Sequence, residues 1–406
     1  MKKRFISLLL AISMIFSLMP VSAVTAFAED ENSGAVTTVD SGFCGAGNDS
    51  KNLSWTLDNN GVLTITGSGA MKDYTWYESQ HPDWYKNHKD SIQSVVLDNN
   101  ITHIGDYAFD GCTNIKSVRY TGYTGGDAGI ALPENVTTIG KYAFSRTGVT
   151  GTLKLPENLN AIGSHAFFEC RNLNGKLTIP KNITEIDEGV FERCGFTGDL
   201  DIPNNVTKIG SCAFQGTYNN TGKLILPNGL TEIGYEAFYD SHFQGDLTIP
   251  NSVTTLAERA FEYGSFSGKL TISNNLKTLG TWTFHNCSGF YGDLVIPARV
   301  TTIGQEVFYG SYYGEPTGEK GRLIFADGSQ LTEIGEGAFR ECPNLTGELK
   351  LPDTVKKIGR LAFRDSYGFT GELELPAHLE ELGDSAFENC SKLTGKLTFP
   401  SKVSEI

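Results

Sequence analysis

Apolar and polar residues alternate along this chain in short bursts, and each burst runs into the same phrase. The phrase is an aliphatic residue, usually a glycine, two or three loose positions, then Ala-Phe. Ile104-Gly105 leads to Ala108-Phe109, Ile139-Gly140 to Ala143-Phe144, and Ile162-Gly163 to Ala166-Phe167. The recurring rings are Phe109, Phe144, Phe167, Phe191, Phe214, Phe238, Phe261, Phe284, Phe308, Phe339, Phe363 and Phe387, and nine of the eleven intervals are 23 or 24 residues. A fixed period in the twenties marks a solenoid, whose coils bury their apolar sides only against one another. Function must then come from the exterior of the stack.

Residues 175–198 give the clearest coil. Lys176-Leu177-Thr178-Ile179 alternates and predicts a short strand. Pro180 stops it, and Lys181-Asn182 turns the chain. Ile183 and Ile186 face inward from a second extended segment, and 187–191 is long enough only for one helical or 3-10 turn. Phe196, with Phe243, Phe266, Phe290 and Phe369 in the same place elsewhere, is expected in the core. Parallel short strands with an irregular or 3-10 convex side follow as the fold class.

The N-terminal part departs from the repeat. Lys2, Lys3 and Arg4 precede the apolar run from Phe5 to Leu18, and Ala26-Phe27-Ala28 is a cleavage site. Residues 1–28 are therefore expected to be a signal peptide cleaved after Ala28, with 29–50 a flexible leader. In 51–92, Leu53, Trp55 and Leu57 alternate with polar residues, Asn59-Asn60-Gly61 is a turn, and Leu63 and Ile65 alternate again. That pattern predicts a β-hairpin, in a cap covering the first coil. Twelve coils fill 93–406, breaking off in a thirteenth at Ser401–Ile406, so a longer natural chain is expected. Extra residues around Tyr120–Gly126 and Tyr312–Gly318 break the period and predict loops on a binding side.

The formal net charge is −14, which argues against nucleic acid and anionic lipid as partners. No stretch after the leader is apolar enough to span a bilayer. Cys112, Cys170, Cys194, Cys287, Cys342 and Cys390 each lie three residues after a repeat phenylalanine. One slot per coil reads as a buried small residue and free thiols; only Cys170 and Cys194 occupy consecutive coils in the regular array, which leaves a bridge between them open. The seven histidines show no metal-ligand spacing, and no nucleophile elbow, phosphate loop or calcium loop occurs. No cofactor is expected. Down the array, the first outward strand position reads Lys176, Asp199, Lys223, Asp246, Lys269, Asp293, Arg322, Glu348, Glu372, Lys396. Seven entries alternate in sign, which serves strand register, reflects a duplicated two-coil unit, or offers a polar contact strip.

Leu177-Thr178-Ile179-Pro180 followed by Ile183-Thr184-Glu185-Ile186, and Ile233-Gly234-Tyr235-Glu236-Ala237-Phe238, resemble the BspA-type leucine-rich repeat. The hairpin with Gly67-Ser68-Gly69-Ala70-Met71 and Trp84-Tyr85 is similar to the unit preceding such repeats in exported bacterial proteins. The resemblance implies a leucine-rich repeat solenoid on a secreted or cell-surface protein of bacteria, used in adhesion or host contact rather than catalysis. The expected partner is an extracellular protein or glycan. The candidate contacts are Tyr309, Tyr312 and Tyr313, because tyrosine is enriched at binding hot spots, with the acidic Glu348, Glu372 and Glu374. The alternative is a structural spacer displaying a C-terminal module.

Overall fold

The computed structural model describes residues 35–47, 50–126, 128–312 and 320–403. The described residues from Val39 onward belong to one compact unit. The expected signal peptide lies outside the described residues. Among the described residues no helix is long and apolar enough to cross a membrane.

The hairpin forms where alternation predicts it. Leu53–Asp58 pairs antiparallel with Val62–Gly67, and Trp55 stands opposite Ile65. The turn is held by the Asp58 carboxylate, which accepts from the N–H groups of Asn60 and Val62, and by Gly61 in the left-handed region. Two expectations need correction. Part of the supposed flexible leader is a strand, Thr38–Phe43, beside Leu53–Asp58. The aromatic stretch Tyr74, Trp76, Tyr77, Trp84 and Tyr85, which the sequence reads as irregular, contains a helix, Asp83–His88, that buries Trp84. Trp84 closes the array. Its ring stacks on Phe109 at 6.1 Å, and its indole N–H donates to the Ala108 carbonyl at 3.0 Å.

From Phe109 onward the coils repeat the same three contacts with their neighbours. The first is the core. Twelve phenylalanine rings, from Phe109 to Phe387, form one offset stack with centroids 5.2–5.8 Å apart and planes within 22°. Offset stacking suits the ring quadrupole and adds to the area buried. Phe196, Phe243, Phe266, Phe290 and Phe369 line the same core as expected. The cysteine slot beside it does more than fill space. Cys170, Cys194, Cys287, Cys342 and Cys390 each donate to the carbonyl of the phenylalanine one coil earlier, at 2.9–3.1 Å. Ser366 and Ser311 do the same from that slot. All eight thiols are free, Cys170 and Cys194 included.

The second contact is a parallel ladder of two-residue strands such as Glu185–Ile186, Lys208–Ile209, Glu232–Ile233 and Thr255–Leu256. The aliphatic residue of each points into the core, and the polar one faces water. Lys208 meets Glu232 at 3.0 Å, and Lys357 meets Glu333 and Glu381 at 3.6 and 3.3 Å. The Asn-Val-Thr turn before it, as in Asn135-Val136-Thr137 and Asn205-Val206-Thr207, ties coils together: Asn135 and Asn205 donate side-chain N–H to carbonyls of the preceding coil, at 2.8 and 2.9 Å.

The third contact is the strand predicted at positions such as 176–179, and here the ladder is interrupted. Leu177 and Ile179 are buried as expected, yet that segment joins no strand pair. Leu200–Asp201 pairs with Leu224–Ile225, Leu247–Thr248 with Leu270–Thr271, and Leu294–Ile296 with Leu323–Phe325. Each pair is an Asp coil followed by a basic coil, so the sign alternation marks a two-coil unit. The aspartate acts on the backbone: Asp199, Asp246 and Asp293 accept from the N–H of Lys223, Lys269 and Arg322 at 2.7–2.8 Å. Only Asp293 also binds the next basic side chain, Arg322, at 2.7 Å, among the described residues of that series. The first break in period is likewise no simple loop. It inserts a buried strand, Ala128–Ala131, between Ser117–Tyr120 and Thr152–Lys154 of the same sheet.

Candidate functional site

The Ala-Phe phrase does not form the helical or 3-10 turn expected over 187–191. It is a run of overlapping tight turns. In the Phe284 coil, Thr283 N–H bonds Gly280 O, His285 N–H bonds Trp282 O, and Cys287 N–H bonds Phe284 O. Trp282, Phe284 and Asn286 instead point their N–H groups at Gln305, Val307 and Tyr309 of the next coil, at 2.7–3.0 Å. Donation from every second residue requires left-handed backbone two places before and two places after each phenylalanine, the third corner of a type II turn. Both positions have positive φ in all twelve coils. Glycine holds only Gly111, Gly189, Gly216, Gly310 and Gly337; elsewhere stand residues as large as Trp282, Tyr142, Tyr263 and Arg259. A side chain there costs roughly 1–2 kcal/mol, which the cross-coil hydrogen bonds must offset.

Those side chains form a strip along the turn edge. Arg259 binds Glu236 at 2.8 Å and Glu262 at 3.3 Å, and its guanidinium lies 4.4 Å from the centre of the Trp282 ring. Trp282 donates its indole N–H to Glu306 at 3.0 Å. His285 sits between Glu262 and Glu306, at 3.1 and 3.5 Å. Tyr309 stacks on His285 at 4.9 Å, donates to Glu341 at 3.2 Å, and lies under Arg340. Burial, then Glu341, push the Tyr309 phenol above its usual range. Tyr263 makes edge contacts with Tyr239 and His285, yet stays 41% exposed, and Tyr235, next to Glu236 and Arg259, is 42% exposed. The strip thus offers tyrosine, tryptophan and arginine held rigid by one another, the residue types that dominate binding energy at interfaces.

The predicted contact residues fall into different places. Tyr309 belongs to the strip. Tyr312 is fully buried against Phe290 and fills the core position of the Phe290 class, so it has no ring to offer a partner. It stands four residues after Phe308, whereas Phe196, Phe243, Phe266, Phe290 and Phe369 stand five or six after theirs, so contact with Phe290 and not spacing places it in the core. Tyr313 lies outside the described residues. Glu348, Glu372 and Glu374 share a shallow groove on the first-strand face with Lys350 and Asp353, and no tyrosine lines it. Lys350 bonds Glu348 at 2.8 Å and holds its carboxyl below the ordinary range. Sequence reasoning missed Arg259, Trp282 and His285. The available signal was their registry with the phenylalanines, one or two residues away in successive coils. Among the described residues no cluster of potential metal ligands occurs.

The family model for the BspA type leucine rich repeat region matches residues 82–124, 128–242, 185–314 and 324–406. No curated protein matches the chain. A crystal structure of a leucine-rich repeat protein from Eubacterium ventriosum is similar over 92% of this chain and 94% of that one, with 23% identity and a TM-score of 0.52, and it shares the fold. A leucine-rich repeat protein from Bacteroides ovatus matches at 20% identity and a TM-score of 0.48, covering 87% and 88% of the two chains. A leucine rich cell surface protein from Faecalibacterium prausnitzii matches at 19% identity and a TM-score of 0.36, covering 79% and 92%.

Proposed function

Because this chain belongs to the BspA-type leucine-rich repeat family, we propose that it is a non-catalytic secreted or cell-surface protein that binds another macromolecule by adhesion or cell contact. The partner is an extracellular protein or glycoprotein, and the turn edge from Glu236 to Glu341 is the surface that meets it. One observation carries this reading. Bulky aromatic and basic side chains stand at left-handed positions that glycine would fill at less cost, and they converge on one strip. The left-handed backbone recurs in all twelve coils, so what sets this strip apart is the large side chains it carries and their packing on one another. The acidic groove of Glu348, Glu372 and Glu374 remains a second contact on the other face.

The test is capture of the purified chain on immobilised mucin, fibronectin, fibrinogen and whole bacteria. Where capture occurs, Tyr263→Ala with Trp282→Ala is expected to weaken it at least thirtyfold, the equivalent of about 2 kcal/mol for hot-spot residues. Capture unchanged in that double variant would remove the turn edge from the account.

A further inference from the structure

We propose that the N-terminal cap carries a separate binding site for a neutral saccharide. A cavity of about 270 Å³ opens in the cap between Phe43, the segment 72–75 and the start of the helix Asp83–His88. Its charges balance and are already engaged. Asp83 pairs with Lys86 at 3.1 Å. Asp73 accepts from the Asp106 N–H at 3.0 Å and meets His103 at 2.9 Å. Lys72 lies 5.8 Å from the centre of the Tyr74 ring. Two amines against two carboxylates leave no net field to select an ion, and the acidic chain as a whole repels anions. The remaining lining is Phe43, Tyr74, the buried His81, which stacks on Tyr85, and the neutral hydrogen-bonding Thr75, Ser79 and Gln80, with the Thr75 hydroxyl donating to Gln80 at 2.9 Å.

One exposed aromatic ring lines this polar cavity, and two more stand next to its lining residues in the chain. Trp76 and Tyr77 do not line it but follow the lining residue Thr75 in the chain; their rings are tilted against each other with centroids 4.3 Å apart, and they are 66% and 55% exposed. Phe43, which does line it, is 55% exposed. The other fully described cap tryptophans, Trp55 and Trp84, are buried. A polar hollow with a few convergent hydrogen-bonding groups and exposed apolar ring faces matches a ligand that is itself amphipathic. A sugar ring has that character, with C–H faces to lie on the rings and hydroxyls to meet Gln80, Ser79 and Thr75. A peptide would require a longer groove, and a phosphate would require unpaired cations.

The site is distinct from the turn edge, so the two readings fail independently. The purified chain is applied to an array of neutral and anionic glycans, and the strongest neutral and strongest anionic hits are titrated by calorimetry. A neutral glycan is expected to bind, with affinity at least tenfold lower in Trp76→Ala and several-fold lower in Gln80→Ala, and unchanged in Tyr263→Ala. Circular dichroism of each variant should match the parent. No neutral glycan bound, binding indifferent to Trp76→Ala, or preference for a sulfated glycan would each overturn the proposal. Loss in Tyr263→Ala instead would place glycan binding on the turn edge.

Discussion

On the first-strand face, Asp199, Asp246 and Asp293 turn their carboxylates back onto backbone N–H groups of the next coil. On the turn edge, Glu236, Glu262, Glu306 and Glu341 turn theirs toward arginine, histidine, tryptophan and tyrosine side chains. Both faces carry charge down the same stack, but the charges do different physical tasks. The aspartates complete strand pairing where each two-coil unit joins. The glutamates hold large side chains in fixed positions over a backbone already locked by its own ladder. Position within the coil, more than residue type, decides whether a charge serves the fold or displays a surface.

The comparison can be tested from the shared core outward. Phe238→Ala removes one ring from the continuous stack, and Phe→Ala in a core costs about 3–5 kcal/mol. Chemical denaturation is expected to show that loss, whereas Tyr263→Ala should stay within about 1 kcal/mol of the parent. On the turn edge, Arg259→Ala leaves Glu262, whose side chain is only 4% exposed, with His285 at 3.1 Å as its remaining ionic contact. Losing one of two partners of a buried charge should cost less than the roughly 3 kcal/mol of a fully unpaired one, and Glu262→Gln in the same background should restore part of it.

The first-strand face should respond more weakly and with pH. Arg322, and then its backbone N–H, hold the Asp293 carboxyl below the ordinary carboxylate range. A folded-state value below the unfolded one gives stability that is present above the unfolded value and lost as pH falls through the folded value. Asp293→Asn is therefore expected to lower stability by up to about 1 kcal/mol at neutral pH, with the difference from the parent vanishing in strong acid. A difference independent of pH would mean the carboxylate charge does no work there. The smallest change is expected at Ser385, exposed and left-handed at φ 55°. Ser385→Gly should raise stability by about 1 kcal/mol or less.

The cysteine slot gives a chemical version of the same contrast. Burial pushes the Cys170 and Cys342 thiols up to about 12. Reaction with a thiol reagent should wait for unfolding, and a reducing agent should leave Tm unchanged. A Tm lowered by reductant would expose a disulfide and contradict the free-thiol packing.

Much of this organisation was legible in the residues. The spacing of Phe109 to Phe387 gave the stack, and the alternation around Asn59-Asn60-Gly61 gave the hairpin. The signs from Lys176 to Arg322 held the two-coil unit, although not its cause, since nothing in a charge pattern says that Asp199 would bond a backbone N–H. The turn edge was hidden for a clear reason. Left-handed backbone is normally announced by glycine, and here Trp282, Arg259 and Tyr263 stand in its place because the next coil fixes their N–H groups. Tyr312 misled for the opposite reason: a tyrosine within an apparent insertion, one position short of the usual core spacing, looks like a loop ring, while its contact with Phe290 buries it.

The most direct test of the central claim sets the two faces against each other on one captured ligand. Affinity is measured by surface plasmon resonance for the parent, for Tyr263→Ala with Trp282→Ala, and for Glu372→Ala with Glu374→Ala. The account predicts that the turn-edge variant loses at least thirtyfold, about 2 kcal/mol, while the first-strand variant loses only a few-fold. A turn-edge variant that binds like the parent, beside a first-strand variant that no longer binds, would contradict it.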